Sequence, residues 1–452
     1  MAQSLPRDEA KKRLDKITTD LFRPIIKHDH ISHLWVFILL LIIGLGLASW
    51  FFQIKNGLAV TAMRDHVSWG MYISNFVFFV AVSLIGSLIS SIMHLLNIHW
   101  AKPVSRIAEQ IAIAAVTLAG LIIITDMGRP DRFLNIFLHG RFASPIVWDV
   151  TVITTYMVIS ALLLYIPLIP DIALLRDRLK GIPNWQQKLY KILSLGWKGS
   201  AAQYKKIYHS MRILMILIIP VALAIHTVTS WLFAATLRPG WDTTIFGPYF
   251  VTGAFVAGTA AVIITMYVYR SRYDLQEYIH DKLFDNMNKL LVLVLLVYLY
   301  FNINEFFVPG YKMKTADGIH LRSLFTGTYA PMFWMVQIGG LILPIILLVF
   351  KPFRKPAPSL IISIFVLLGA WFKRYLIVIP TVQHPYLPIQ NVPESFHTYV
   401  PTGIEVSVTL FAFASAILIM TVLAKLFPVI TIWELAEEEG IDKDLLNENY
   451  DH

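Results

Sequence analysis

The chain has 452 residues, 56% of them hydrophobic and only 15% charged, with a formal charge of +9 and no cysteine. A mean hydropathy of +0.62 is too high for a soluble globular domain, so the fold class expected is an all-α integral membrane protein. The missing cysteine excludes disulfides, thiolate metal sites and iron–sulfur ligation within this chain, and the positive charge is read as the basic loops of a multi-span protein rather than a nucleic-acid surface.

In chain order, residues 1–33 are polar, so no signal peptide is expected; they form an N-terminal tail in which LDKITTDLF is either a membrane-surface helix or solvated. A hydrocarbon core about 30 Å thick needs a helix of roughly 20 residues. Ten apolar runs meet that length: 34–54, 70–96, 106–125, 147–170, 212–236, 247–269, 288–306, 331–350, 358–379 and 404–427, giving a membrane domain over 34–427. The 171–211 connection interleaves basic residues with Trp185, Tyr190, Trp197 and Tyr204, a pattern for interfacial helices on anionic headgroups. Residues 428–452 read as an acidic tail, flexible or docked on a partner. Of the 38 Lys and Arg, 27 fall on the side shared by the two termini, which predicts both termini in the cytoplasm. Trp69-Gly70-Met71-Tyr72 opens span 2 and Phe246-Gly247-Pro248-Tyr249 opens span 6. That echo predicts two four-helix bundles, spans 2–5 and 6–9, with spans 1 and 10 flanking them, against the plainer reading of chance likeness among apolar helices.

The polar residues at span ends are lopsided. Asp126 ends span 3, Asp149 opens span 4, Glu305 ends span 7, Glu405 opens span 10, and Lys373 and Arg374 lie inside span 9, all toward the face away from the termini. Arg374 precedes Pro380 by six residues, roughly 9 Å of helix rise, and a charge at that depth costs several kcal/mol unless paired or in a polar cavity. Each residue also has a plain reading: Asp126 as a helix-end acid pairing with Arg129, Lys373 snorkelling outward, His226 as a hydrogen-bonded core histidine. His94 and His226 sit at different depths, which argues against a haem between them, and no phosphate loop, nucleophile elbow or zinc spacing is present. No metal site is expected.

Oxidising a quinol releases two electrons and two protons. With no metal ligands here, the electrons require a partner's centres, while buried carboxylates or histidines accept protons and an apolar slot holds the isoprenoid tail. Glu109 and Asp126 stand seventeen residues apart, about 25 Å along one helix, with Thr117 and Thr125 as polar help between them on a proton path.

Trp69-Gly70, the stretch Asp126-Met127-Gly128-Arg129-Pro130-Asp131-Arg132-Phe133, Ser144-Pro145, Trp148-Asp149 and Arg374 through Pro380 together resemble the NrfD/PsrC family of quinone-interacting membrane subunits. Ten spans, LIPDIALLRD, HTVTSWLFA and RPGWDTTIFGPYFVTGAF are most similar to its ActC-type members in alternative complex III. The resemblance implies a menaquinol:acceptor oxidoreductase subunit of the bacterial inner membrane. Its partners would be a periplasmic iron–sulfur subunit, c-type haem subunits, a homologous NrfD-like membrane subunit, lipids and a terminal oxidase. By position, His139 and Asp149 would be headgroup ligands and proton acceptors. Arg129 and Asp126 would form a supporting ion pair, with Trp69 and His66 as pocket wall. Glu109, His226, Glu305, Lys373, Arg374 and Glu405 would belong to a polar path. An ActF-like homologue without a quinone, serving structure or a proton path, and a secondary transporter stay open.

Overall fold

The structure, a computed structural model, describes residues 6–27, 29–96, 98, 100, 102–386 and 390–447. All regular elements among them are helical. The chain runs through α1 (Arg7–Ile26), α2 (His30–Asn56), α3 (Met71–Leu95), α4 (Lys102–Asp126), α5 (Asn135–Leu138), α6 (Pro145–Tyr165), α7 (Leu168–Arg178), α8 (Asn184–Leu193) and α9 (Ala201–Ala234). It continues with α10 (Phe246–Arg272), α11 (Asp281–Lys312), α12 (Thr315–Phe325), α13 (Ala330–Trp334), α14 (Leu343–Val349), α15 (Pro356–Gln383), α16 (Gly403–Leu426), α17 (Ile432–Glu438) and α18 (Lys443–Asn447). Ten helices are long and apolar enough to cross a membrane: α2, α3, α4, α6, α9, α10, α11, the continuous α13–α14 rod, α15 and α16.

Helix ends depart from the hydropathy edges where local chemistry carries the helix past the apolar run. Helix α9 begins at Ala201, eleven residues before the apolar run, because Ser200 and Gln203 form a reciprocal capping box. Between α13 and α14 the turn widens to a π-helix over Met335–Ile342, just ahead of Pro344, whose missing N–H breaks the regular ladder.

Helices α3, α4, α6 and α9 form one four-helix bundle, and α10, α11, α13–α14 and α15 form a second, joined through α3 against α10 and α15. Helix α2 packs on α16 outside both. Every residue of α3 from Met71 to Ser91 is buried, so this helix has no lipid-facing side. Gly86 allows the crossing of α3 over α4: a Cβ there would lie 1.9 Å from the Ala108 carbonyl oxygen. Close helix contact through small residues is how apolar helices gain packing when lipid is as apolar as they are.

Both terminal segments dock at one end of the molecule, here the terminal end; the opposite one is the distal end. Helix α1 buries Ala10, Leu14, Ile17, Leu21 and Ile25, a single stripe at helical spacing, against α16 and α17. Arg13 reaches Glu277 at 2.5 Å and Glu439 at 2.5 Å. The acidic tail is not free either. Trp433 is fully buried and donates to the Pro167 carbonyl at 2.9 Å, while Asp171 accepts from the Ile432 and Trp433 amides and pairs with buried Arg106. Thus residues 7–26 and 428–447 are packed structure rather than solvated tails, because each carries an apolar stripe and a set of paired charges. Residues 1–5 and 448–452 lie outside the described residues. In the 171–211 connection, α8 buries Tyr190, which donates to the Leu426 carbonyl at 2.8 Å, and leaves Trp185 exposed.

Replacing Trp433 by Ala is expected to destabilise the chain by about 3–5 kcal/mol, since it empties a filled core site; Trp185→Ala should stay within about 0.5 kcal/mol. Thermal unfolding of the two variants in detergent checks the contrast.

Candidate functional site

At the distal end the segments 57–70, 127–144, 235–245, 313–329, 384–386 and 390–402 cap the two bundles. Pro145 starts α6 at its first turn, where its missing N–H costs nothing, and this places Trp148 and Asp149 side by side. Trp148 donates from its indole to the Phe142 carbonyl and meets Trp231 edge-on at 6.4 Å. Asp149 turns inward. It is 4% exposed and accepts one hydrogen bond, from Thr229 Oγ1 of α9 at 2.5 Å. No cation pairs with it among the described residues.

One turn beyond Thr229, Phe233 meets Trp69 edge-on at 5.6 Å and Trp241 at 5.0 Å, and Trp69 lies 5.6 Å from Trp241. Trp241 is fixed by its indole N–H to the Ile377 carbonyl at 2.7 Å. His66 is buried, stacks on His397 at 4.2 Å and has Nε2 3.2 Å from the Gln383 carbonyl, while its Nδ1 finds no partner. The site therefore has a singly bonded carboxyl group on α6 whose partner Thr229 stands one turn of α9 from an aromatic cluster.

The hairpin above it differs from the sequence expectation. Arg129 does not pair with Asp126. It forms a two-pronged ion pair with Asp131, at 2.9 and 2.8 Å, and both side chains are more than half exposed. The residues two apart meet because Pro130 opens a tight 3₁₀ turn, so the local partner wins over one across the loop. Gly128 supports that turn at φ +66°, and a Cβ there would meet Leu58 at 2.8 Å. His139, the C-cap of α5, is exposed, and no hydrogen bond or ion pair joins it to Asp149. Asp126 closes α4 with Oδ1 buried and unpartnered, near Gln53, which donates to the Thr125 carbonyl and accepts from Tyr72. Thus Asp149, Trp69 and His66 lie inside the cap, whereas His139 and Arg129 lie on its surface.

Glu405 was expected on a polar path. Its carboxylate is instead saturated by the Ala62 and Thr402 amides at 2.8 and 2.9 Å, the Thr402 hydroxyl at 3.1 Å and the Tyr399 hydroxyl at 2.5 Å. That is a capping box for α16 which also pins the 57–70 segment.

In the second bundle Lys373 and Glu305 form a buried ion pair at 2.6 Å. Tyr249 donates to Glu305 at 2.9 Å, and the Lys373 ammonium sits 4.6 Å from the Phe306 ring centre. Arg374 is buried 5.5 Å from the Phe250 ring centre with Nε unpartnered. Gly253 makes room for it, since a Cβ would lie 2.7 Å from Nη2. Cavities of about 20 and 10 Å³ flank this network. Each is the size of a water, not of a ring. His226 bonds to the Ala222 carbonyl at 3.1 Å and keeps Nε2 buried and free.

Several residues were missed in the sequence. Thr229, Trp241 and Tyr249 hold the site, and His320 borders the smaller cavity with Glu305 and Lys373. Burial pushes the His320 imidazole down to about 3, so it is neutral at physiological pH. Thr229 had a signal, since it stands three residues after His226 in HTVTS and so shares its helix face; Trp241 and Tyr249 lie in the RPGWDTTIFGPYFVTGAF stretch, and His320 had none.

At the terminal end, Glu109 accepts from Ser90 at 2.7 Å, and buried Glu434, pushed up to about 7 by burial, lies 4.0 Å from His94. Between the two ends, Tyr156 of α6 donates to the Ser83 carbonyl at 2.5 Å and lies 3.2 Å from Ser87 Oγ, which is 2.9 Å from Ser160 Oγ. Thr117, by contrast, is exposed and bonds to its own helix.

Fold and site define a multi-pass integral membrane protein with a carboxyl group buried under one end of its first bundle. The chain belongs to the NrfD polysulphide reductase family, whose family model matches residues 59–385. It is 24% identical over 412 residues to a selenate reductase subunit of Mesobacillus selenatarsenatis, covering 88% of this chain and 95% of that one. It is 21% identical to the integral membrane subunit of menaquinone reductase of Nitratidesulfovibrio vulgaris, over 88% of this chain and 91% of that one. A putative dimethyl sulfoxide reductase membrane subunit of Halobacterium salinarum is 30% identical over 231 residues, 51% of this chain and half the length of that relative. All three are named as subunits of reductases, two of them as membrane subunits and one of these for menaquinone.

Lys373→Met is expected to cost about 3–5 kcal/mol by stranding the Glu305 carboxylate, and Lys373→Met with Glu305→Gln should recover most of it. Thermal unfolding of the single and double variants reads the difference.

Proposed function

We propose that this chain is the quinone-binding membrane subunit of a menaquinol:acceptor oxidoreductase, of the ActC type found in alternative complex III. The observation that supports it is Asp149: a buried carboxyl group whose hydrogen-bond partner, Thr229, stands one turn of α9 before Phe233, the ring that meets Trp69 and Trp241. A carboxyl group with no counter-ion in an apolar wall is the kind of proton acceptor that quinol oxidation needs, and the neighbouring rings offer stacking surfaces for a flat headgroup.

Menaquinol gives up two protons and two electrons and leaves as menaquinone. Asp149 accepts one proton. His139, on the hairpin above, accepts the second once a partner protein lies over that surface. The electrons pass to the iron–sulfur clusters of that partner, and from there to c-type haem proteins and a terminal oxidase. The membrane part is completed by a second NrfD-like subunit. In this reading the complex sits in the bacterial inner membrane with both termini cytoplasmic, following the excess of Lys and Arg on that side, and the site opens to the periplasm. The direction of turnover follows the potential of the partner's centres, so a relative named for reducing menaquinone is consistent with the same pocket.

A proton route would descend from Asp149 through Tyr156, Ser160, Ser87 and Ser90 to Glu109 and His94. It uses hydroxyls of α3 and α6 instead of the α4 residues between Glu109 and Asp126. His226 of α9, with Arg374, Lys373 and Glu305 of the second bundle, would be a further hydrated branch.

The surface placement of His139 and Arg129 favours a second reading, in which the chain is an ActF-like homologue that binds no quinone. Asp149→Asn separates the two, because it keeps the acceptor for Thr229 and removes the titrating group. Menaquinol oxidation by the assembled complex should fall about 100-fold or more, and His139→Ala should lower it while assembly is intact; wild-type rates in both variants would leave the ActF-like reading. Tyr156→Phe should reduce protons moved per electron without slowing uncoupled quinol turnover, measured by pH change in proteoliposomes.

A further inference from the structure

A large cavity lies away from this site. It holds about 610 Å³ between α10 and α16, with α3 and α4 as its floor and the start of α2 at its rim. Its walls are hydrocarbon: Val82, Ala115, Ala261, Ile264, Ala416 and Ile417 are representative. At its inner end the rings of Phe78 and Phe79 close on Phe413, with centroids 5.6 and 5.1 Å apart. From Phe413 to Lys425 along α16 is twelve residues, about 18 Å of rise. Half a hydrocarbon core is about 15 Å. The cavity thus runs from one membrane end to the midplane, the depth of one acyl chain in one leaflet.

The mouth is basic. Arg272 shares Asp29 and Ser32 through one nitrogen, and the Lys27 ammonium lies 3.4 Å from the Arg272 carbonyl. Lys425 donates to the Lys27 carbonyl and sits 6.0 Å from the centre of the Tyr273 ring, with no carboxylate of its own. Asp274 also acts on Arg272 but is shared with Arg23, itself paired with Asp20, so four cations (Arg23, Lys27, Arg272 and Lys425) face three carboxylates and leave a surplus of positive charge where an apolar cavity meets the headgroup layer. A neutral quinone ring would not balance that surplus, whereas a phosphodiester would, through charge-assisted hydrogen bonds. Basic pockets between transmembrane helices are the sites at which anionic headgroups bind.

We propose that this cavity is a binding site for an anionic phospholipid, with one acyl chain between α10 and α16 and its phosphate on Arg272 and Lys425. It is independent of the quinone reading, since no residue of the distal site takes part. The lipid fixes α2 and α16 against the two bundles by filling a space that protein side chains leave open.

Trp35 lines the rim and serves as the reporter. The complex is reconstituted in phosphatidylcholine nanodiscs containing phosphatidylglycerol or phosphatidylcholine with brominated acyl chains, and the Trp35 signal is the difference between wild type and Trp35→Phe. Brominated phosphatidylglycerol at a few mole per cent should quench that signal saturably, and brominated phosphatidylcholine should not. Lys425→Gln should raise the half-saturating fraction about fivefold. Ala416→Phe, which fills the cavity and leaves the charges alone, should abolish saturable quenching. Equal quenching by the two lipids, an unchanged midpoint in Lys425→Gln, or recovery of menaquinone that Ala416→Phe releases would each overturn the proposal.

Discussion

Water is absent from the bilayer core, so each polar group there must be answered from within the protein. Helix α3 is where that constraint acts most strongly. It is buried from Met71 to Ser91 where the first bundle meets the second, yet carries Ser74, Asn75, Ser83, Ser87, Ser90 and Ser91. Four of them find partners on surrounding helices: Asn75 donates to Thr409 and accepts from Trp371, Tyr156 reaches Ser83 and Ser87, and Ser90 donates to Glu109; Ser74 bonds to the Gly70 carbonyl at the start of its own helix, and Ser91 has no partner among the described residues. A helix that must be enclosed on all sides, and whose polar groups need neighbours at set heights, fixes where the other helices stand.

The charged groups divide by how completely they are answered. Arg106 with Asp171, and Lys373 with Glu305, are closed ion pairs inside the protein. Glu405 is saturated by amides and hydroxyls. Such groups hold segments together. Asp149, the free Oδ1 of Asp126 and the free ring nitrogens of His66 and His226 are left with capacity to spare. A buried group with spare capacity is costly to keep, and these lie toward the distal half of the bundles, where the aromatic wall stands. The structure thus separates polar residues that build the cap from those free to bind or exchange protons.

Much of the architecture was legible in the sequence because it follows from hydropathy. Ten apolar runs give ten spans, and the echo between Trp69-Gly70 and Phe246-Gly247 marks the opening helices of two bundles. Depth was legible for Arg374, expected well below the distal face and buried there; Lys373 and Glu305 were expected only toward that face, and they form a buried pair. What sequence could not tell was the side of a loop to which a residue turns. Arg129 has Asp126 three residues before and Asp131 two after, and only the 3₁₀ turn at Pro130 decides for Asp131. His139 stands in a polar hairpin whose exposure depends on what lies above it. Glu405 was misread although Thr402-Gly403-Ile404-Glu405 carries the spacing of a capping box. The terminal segments were taken for tails because hydropathy averages over a helix and hides a single buried stripe such as Leu14, Ile17 and Leu21.

The account rests on a quinone headgroup lying against Asp149 under the distal cap. Photolabelling the assembled complex with an azidoquinone, followed by peptide mapping, measures this directly. The account requires label on Asp149 or on its neighbours Thr229, Phe233, Trp69 and Trp241, and loss of that label in the presence of menaquinol. Label confined to the terminal end or to lipid-facing α2, or none that menaquinol displaces, would contradict it.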